Sequence, residues 1–222
     1  AGESGVGAAK LALTLGFTPF VSDSGKGEKS LLGELKSLGI GYEIEGHNPK
    51  NWASSSTVVK SPGIPDTARI LHPLRENGAE IISEIEFASR YSKGTVVAIT
   101  GANGKTTTTA LIHRMLTDAG VKATCVGNIG TSWARDIAER KIPAEVTVVE
   151  MSSFQLDGIN TFRPDIAVLL NITPDHLDRY GYSLENYSES KWRITSNQIS
   201  SDYLGYNSDD LEIGKHIKAK NT

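Results

Sequence analysis

Val96-Val97-Ala98-Ile99-Thr100-Gly101-Ala102-Asn103-Gly104-Lys105-Thr106-Thr107 reads as an apolar strand, a glycine-rich turn and the start of a helix. The run to Ile99 has the β-branched, apolar character of a strand buried on both faces. The turn aims backbone N–H groups at one point, and the helix N-terminus adds partial positive charge, so together they suit a phosphate. Lys105 would reach the β and γ phosphates and the Thr106 hydroxyl would bind magnesium, with Gly101, Asn103, Gly104 and Thr107 completing the cradle. The strict phosphate-loop spacing asks for a glycine where Ile99 stands. A glycine-rich turn beside a solvated lysine is the competing reading.

Outward from this loop, short β-rich runs at 19–23, 57–60, 80–83, 95–100, 146–150 and 166–171 alternate with helical patterns at 7–15, 29–38, 69–77, 84–91, 106–119 and 132–140. That alternation predicts an α/β fold with a mainly parallel sheet. Gly16, Gly39, Gly78 and Gly120 stand where four of the helices should stop. A polar step from Tyr91 to Gly94 precedes the central strand, which predicts two domains, 1–92 and 93–222. The opening Ala1-Gly2-Glu3-Ser4-Gly5 has no strand before it, so a first strand is expected to be missing. The polar stretch 201–222 is expected to close no recognisable unit, leaving the second domain incomplete.

With 222 residues, 38% hydrophobic and 22% charged, the chain has enough apolar material for one large domain or two small ones. A net charge of -3 and a pI near 6.0 give no general attraction to nucleic acid or an anionic membrane. The single cysteine, Cys125, excludes an intramolecular disulfide and a cysteine-based metal cage, and fits a reducing cytoplasm. No signal-peptide pattern opens the chain and no 18-residue apolar window occurs, so a soluble protein is expected.

Two further strands end in polar residues facing the edge where open parallel sheets bind ligands. Glu150 closes one, a carboxylate placed for direct or water-mediated magnesium binding. Asn171 closes the other and leads into Thr173-Pro174-Asp175-His176-Leu177-Asp178-Arg179, where His176 stands among carboxylates in a loop. His47, His72, His113 and His216 have no such surroundings and are read as surface or packing residues. Gly2, Gly5 and Gly7, with Asp23 about twenty residues on, resemble a dinucleotide fingerprint, which supports a pyrophosphate on a helix N-terminus without naming the nucleotide. Ser61-Pro62-Gly63 follows another strand and is either a ligand loop or a structural turn.

Together these stretches resemble the Mur ligase family, whose ATP loop itself lacks the distant first glycine. Glu150-Met151-Ser152-Ser153-Phe154-Gln155-Leu156, Gly127-Asn128-Ile129-Gly130 and Asn171-Ile172-Thr173-Pro174-Asp175-His176 are similar to blocks of the member that adds D-glutamate. Phe154 stands where the diaminopimelate- or lysine-adding member would carry histidine. The resemblance implies a Rossmann-like UDP-binding first domain and a P-loop-type ATP-binding central domain, with the family's C-terminal domain not represented. It implies ATP and two magnesium sites, held by Thr106, Glu150, His176 and a carbamylated Lys191, with Lys105, His176 and Lys191 catalytic. It also implies that Glu3, Ser4, Gly5, Asp23, Ser24, Ser61, Pro62, Gly63, Asn128, Ser152, Gln155 and His176 contact the substrates UDP-N-acetylmuramoyl-L-alanine and D-glutamate. The expected product is an amide made through an acyl phosphate, by a cytoplasmic monomer with small-molecule partners only, and the present chain alone is expected to be inactive. The family's basic residue near Gly25 is displaced to Lys26, which leaves the uracil contacts open. Another Mur specificity, a folylpolyglutamate synthase-like ligase, and a non-catalytic nucleotide-binding module are the alternatives.

Overall fold

The computed structural model describes residues 1–65 and 67–220; Asn221 and Thr222, the end of the polar tail, lie outside the described residues. Its elements run α1 (Glu3–Thr14), β1 (Phe20–Ser22), α2 (Lys29–Ser37), β2 (Gly41–Glu43), β3 (Thr57–Val59), α3 (His72–Glu76), β4 (Glu80–Ile82), α4 (Glu84–Ser89) and β5 (Thr95–Thr100). They continue with α5 (Lys105–Asp118), β6 (Ala123–Gly127), α6 (Trp133–Glu139), β7 (Val146–Glu150), α7 (Ser153–Asp157), β8 (Ile166–Leu169), α8 (Leu184–Trp192), β9 (Tyr203–Tyr206) and α9 (Leu211–Lys220). The chain divides into two compact units, one of residues 1–92 with 131–141, the other of residues 93–130 with 142–222.

In the first unit, β1 pairs in parallel with β2, and β3 in parallel with β4, as two separate two-stranded sheets. Val6, Ala9, Val21, Leu35 and Ile40 form one apolar cluster, and Trp52, Leu71 and Leu74 another. Although α6 begins 44 residues after the end of α4 in sequence, its packing places it in this unit, against α1. Gly7 permits that approach, since a Cβ there would collide with the Ser132 hydroxyl. A charged network rims the helices: Arg135 reaches Glu3 (2.7 Å) and Glu34 (2.6 Å), while Lys10 reaches Glu34 (2.8 Å) and Glu139 (2.6 Å). The Arg135 hydrogen bond, reinforced by that of Lys10, pulls the Glu34 carboxyl down to about 2.

The second unit is an all-parallel five-stranded sheet in the order β6-β7-β5-β8-β9. β5 is buried from Val96 to Thr100, as expected of a central strand covered on both faces. Val97, Ile99 and Val148 pack on one side, with Ile112 and Leu116 of α5 against them. Leu169, Ile172, Tyr180, Tyr187, Trp192 and Ile213 form the other cluster. Because every strand runs the same way, the C-terminal tips of β5, β7 and β8 share one edge of the sheet.

Several sequence expectations are corrected. The first helix begins at Glu3, not Gly7, so Glu3, Ser4 and Gly5 form its first turn instead of a loop; glycines favour a loop here, but Val6, Ala8, Ala9 and Leu11 carry the buried face through them. The expected helix at 69–77 is a short 3-10 turn, Arg69–Leu71, followed by α3, with Pro73 in the first turn of α3 where it loses no hydrogen bond. Within the stretch 201–222, the described residues do form structure: β9 extends the sheet beside β8, and Ile213 of α9 is fully buried. β2 and β6 were not foreseen, because Gly41-Tyr42-Glu43 and Ala123-Thr124-Cys125-Val126-Gly127 lack a run of large apolar residues. Gly16, Gly39, Gly78 and Gly120 do take the left-handed conformation at helix ends.

Candidate active site

The site in the second unit starts where β5 stops. Gly104, at φ +80°, is the N-cap of α5 and supplies no side-chain cap, so the first N–H groups of a fourteen-residue helix are left for another acceptor. Lys105 Nζ donates to the carbonyls of Gly101 (3.0 Å) and Ala102 (2.9 Å), folding back across the loop. Thr106 and Thr107 are exposed in the first turn.

On the neighbouring strand, Glu150 pairs in register with Ile99 on one side and Gly127 on the other. It is 1% exposed. Asn128 holds it at two points, its Nδ2 donating to Oε1 (2.9 Å) and its backbone N–H to the Glu150 carbonyl (2.9 Å). Glu150 Oε2 is buried with no hydrogen-bond partner. A buried carboxylate oxygen in that condition is costly unless a cation completes it. Gly127, at φ +113°, makes the arrangement fit, because a Cβ there would strike the Glu150 backbone carbonyl.

Lys191 of α8 is 1% exposed. Its Nζ donates to the Gly101 carbonyl (2.8 Å), the same oxygen that Lys105 reaches, and lies 4.6 Å from the Tyr187 ring centre. Burial, then the positive charge of Lys105, lowers its amine to about 7 against the opposing pull of Asp175 and Asp157. A substantial neutral fraction therefore exists near physiological pH. A buried network fastens α8 to α7: Ser190 Oγ donates to Asp157 Oδ1 (2.6 Å), and Tyr180 OH to Asp157 Oδ2 (2.9 Å). Sequence reading missed this network, since no local pattern links positions 157, 180 and 190.

His176 adopts a left-handed conformation (φ 49°) just before the short 3-10 turn Leu177–Tyr180. It is exposed, its Nε2 is 3.7 Å from Asp175 Oδ1, and its ring lies 5.5 Å from that of Phe154. Among the described residues no three His, Cys, Asp or Glu side chains converge as a ready metal cluster. Ser152 and Gln155 close a capping box at the start of α7: Ser152 Oγ accepts from Gln155 N (3.3 Å), and Gln155 Oε1 accepts from Ser152 N (2.9 Å). The Ser-x-x-Gln spacing is itself a helix-start signature, which could have been read from sequence.

In the first unit, Gly2 caps α1 without a side-chain bond, while Glu3 is engaged by Arg135 (2.7 Å). Asp23 Oδ1 accepts from Gly25 N (2.7 Å) at the tip of β1, with Ser24 exposed beside it. Ser61, Pro62 and Gly63 form a turn closed by Ile64 N to Ser61 O (3.0 Å), and Lys60 Nζ braces it through the Ile64 carbonyl (2.7 Å). No helix among the described residues is long and apolar enough to cross a membrane.

Residues 99–222 match the family described as the Mur ligase middle domain. The chain is 49% identical to the UDP-N-acetylmuramoylalanine--D-glutamate ligase of Christiangramia forsetii, over 96% of this chain and 47% of that protein. It spans about half the length of the curated relatives it matches. In fold it is similar to the UDP-N-acetylmuramate:L-alanyl-gamma-D-glutamyl-meso-diaminopimelate ligase of Neisseria meningitides, with a TM-score of 0.67 at 19% identity, covering 99% of this chain and 72% of that one. It is also similar to the MurF ligase of Thermotoga maritima solved in complex with ADP, with a TM-score of 0.51 at 21% identity, covering 75% and 49%. At those identities the likeness to the two solved structures concerns the fold alone.

Proposed function

Because this chain belongs to the Mur ligase family, we propose that it supplies the ATP-handling and first-substrate parts of a cytoplasmic ligase that joins UDP-N-acetylmuramoyl-L-alanine to D-glutamate. The observation that carries the reading is the buried Lys191 amine resting on the Gly101 carbonyl of the nucleotide loop. A module that merely binds nucleotide has no use for a desolvated lysine there.

In this reading the free N–H groups at the start of α5 and the Lys105 ammonium receive the phosphates of ATP, with Lys105 exchanging its loop carbonyls for the β and γ oxygens. Glu150 Oε2 and the Thr106 hydroxyl would hold magnesium, and the orphaned state of that buried oxygen fits a cation. His176 and Lys191 would serve a second ion. Magnesium, when bound, offsets the repulsion between the γ-phosphoryl group and the substrate carboxylate. As an ammonium Lys191 cannot ligate a cation. Its neutral Nζ can attack carbon dioxide, forming an N–C bond while a proton leaves to solvent, and the resulting carbamate presents oxygen ligands.

The substrate carboxylate then attacks the γ-phosphorus and ADP departs, giving an acyl phosphate. The amine of D-glutamate attacks its carbonyl carbon, phosphate leaves, and loss of the amine proton completes the amide. No enzyme nucleophile is needed, so the protein's contribution is alignment and charge. In the first unit, the uncapped start of α1, with Glu3, Ser4 and Gly5, would meet the pyrophosphate, Asp23 and Ser24 the uracil end, and Ser61 to Gly63 the same ligand. Asn128, Ser152 and Gln155 are proposed to meet substrate through whatever capacity their Glu150 and capping contacts leave.

ADP release by the complete natural protein, given UDP-N-acetylmuramoyl-L-alanine and each candidate amino acid in turn, tests the proposal. Release is expected with D-glutamate. Tight nucleotide binding without release for any acceptor would leave a binding module in its place.

A further inference from the structure

Asn171 stands out by what it touches. β5 and β8 pair in register up to Thr100 and Leu169, and the chain then turns into the glycine-rich loop on one side and the His176 loop on the other. The ladder does not stop there. Leu170 N donates to the Thr100 carbonyl (3.0 Å), and Ala102 N donates to the Asn171 carbonyl (3.0 Å). The next rung is made by a side chain. Asn171 Oδ1 accepts from Asn103 N (2.8 Å), and Asn171 Nδ2 donates to the Asn103 carbonyl (3.0 Å). A primary amide carries one acceptor and a donor pair in the same plane, so it can pair with both faces of a single residue's backbone as a strand neighbour would. Gly101 allows the close approach, since a Cβ there would lie 3.0 Å from Leu170 Cβ. Asn103 Nδ2 adds a contact to Thr173 Oγ1 (3.3 Å).

We propose that Asn171 is the positioning residue of the nucleotide loop, its side-chain amide replacing the missing rung of the sheet and so fixing the peptide of Asn103. This deepens the proposed function and rests on its reading of the loop as the ATP site. Two consequences follow from the bonding. The Asn103 N–H, expected from sequence to face phosphate, is already committed to Asn171, so the anion is received by the N–H groups of Gly104, Lys105 and Thr106. Those groups point together only while the preceding peptide is held. The bond to Thr173 links the same peptide to the loop carrying His176, so the phosphate end and the His176 side are set by one clamp.

The test uses the complete natural protein with magnesium–ADP as the probe. Asn171→Ala is expected to weaken magnesium–ADP binding at least tenfold in calorimetry and to leave the KM for the UDP substrate within twofold. It should also speed amide hydrogen exchange across 101–103 but not across β8. Nucleotide affinity within twofold of the parent, or an equal loss of UDP-substrate affinity, would overturn the proposal. If that variant does not fold, exchange in the unaltered protein decides. The Asn103 amide should be protected before nucleotide is added and unchanged afterwards, while 104–106 gain protection. Protection of Asn103 that appears only with nucleotide overturns the clamp. An unaltered protein that fails to bind magnesium–ADP at all is a separate result, which overturns the nucleotide reading and this proposal with it.

Discussion

Replacing Glu84 with glutamine should make the protein more stable in mild alkali and leave it unchanged in mild acid. Glu84 opens α4 and is 3% exposed, with its Oε1 accepting from Ala134 N (2.6 Å) and its Oε2 buried without a partner. Burial, aggravated by the charge of Glu3 and only partly relieved by the α6 amides, pushes the carboxyl from an ordinary 4.5 up to about 7. That preference for the protonated form corresponds to about 3 kcal/mol. The sign follows from proton counting. Between pH 4.5 and about 7 the folded protein holds a proton that the unfolded chain has lost, so stability falls as pH rises through that window. Glutamine keeps the acceptor for Ala134 N and has no proton to lose. From pH 5 to pH 8 the parent should therefore lose about 2–3 kcal/mol more than Glu84→Gln. Urea unfolding at the two pH values, followed by tryptophan fluorescence to which the buried Trp52 and Trp133 of the same unit contribute, measures the difference. Parallel pH slopes in the two proteins would refute the argument.

In the complete natural protein, Lys105→Ala should lower ATP turnover by about 100-fold or more, and near-normal ADP release in that variant would remove the phosphate role of the loop. Lys191→Met should abolish turnover. In the parent, activity should fall as pH drops below about 7, where the amine becomes an ammonium, and added bicarbonate should restore part of it; an intact-protein mass lacking one carbon dioxide, with activity insensitive to bicarbonate, would count against the carbamate. Ser152→Ala should cost about 1 kcal/mol of stability through the lost cap, read by chemical denaturation, whereas a large rise in substrate KM at unchanged stability would make Ser152 chiefly a ligand contact.

The parallel α/β character and the placement of the loop were legible because each rests on local chemistry: an apolar strand, a glycine turn and a helix start are contiguous in 96–107. Glu150 was legible for the same reason, as a charge ending an apolar strand. What sequence hid was set by distance along the chain. Nothing near Lys191 signals that it is buried on the carbonyl of Gly101, ninety residues earlier. The Ser-Ser-Phe-Gln-Leu block, a family signature, also contains a capping box, which is a local signal carried by the Ser-x-x-Gln spacing. β6 is hidden from sequence because its residues are mostly small, and β9 because it is mostly exposed, so the strand state of each follows from neighbours in the sheet.

The excursion of residues 131–141 from the second unit into the first has a consequence for synthesis and for dissection. The first unit leads the chain, yet α6, the helix against which α1 packs most extensively, leaves the ribosome only after β5, α5 and β6 of the second unit have been made. The two units therefore mature interleaved, and 38 residues of the second unit, 93–130, separate the apparent end of the first at Ser92 from the excursion that begins at Thr131. Cutting at 92 would not free either half: the first would lose the helix bearing Trp133 and Arg135, and the second would carry that helix with its apolar side bared. Clean separation requires lifting 131–141 out of the second half and returning it to the first, with 1–92 linked to 131–141 in one chain and 93–130 linked to 142–222 in the other.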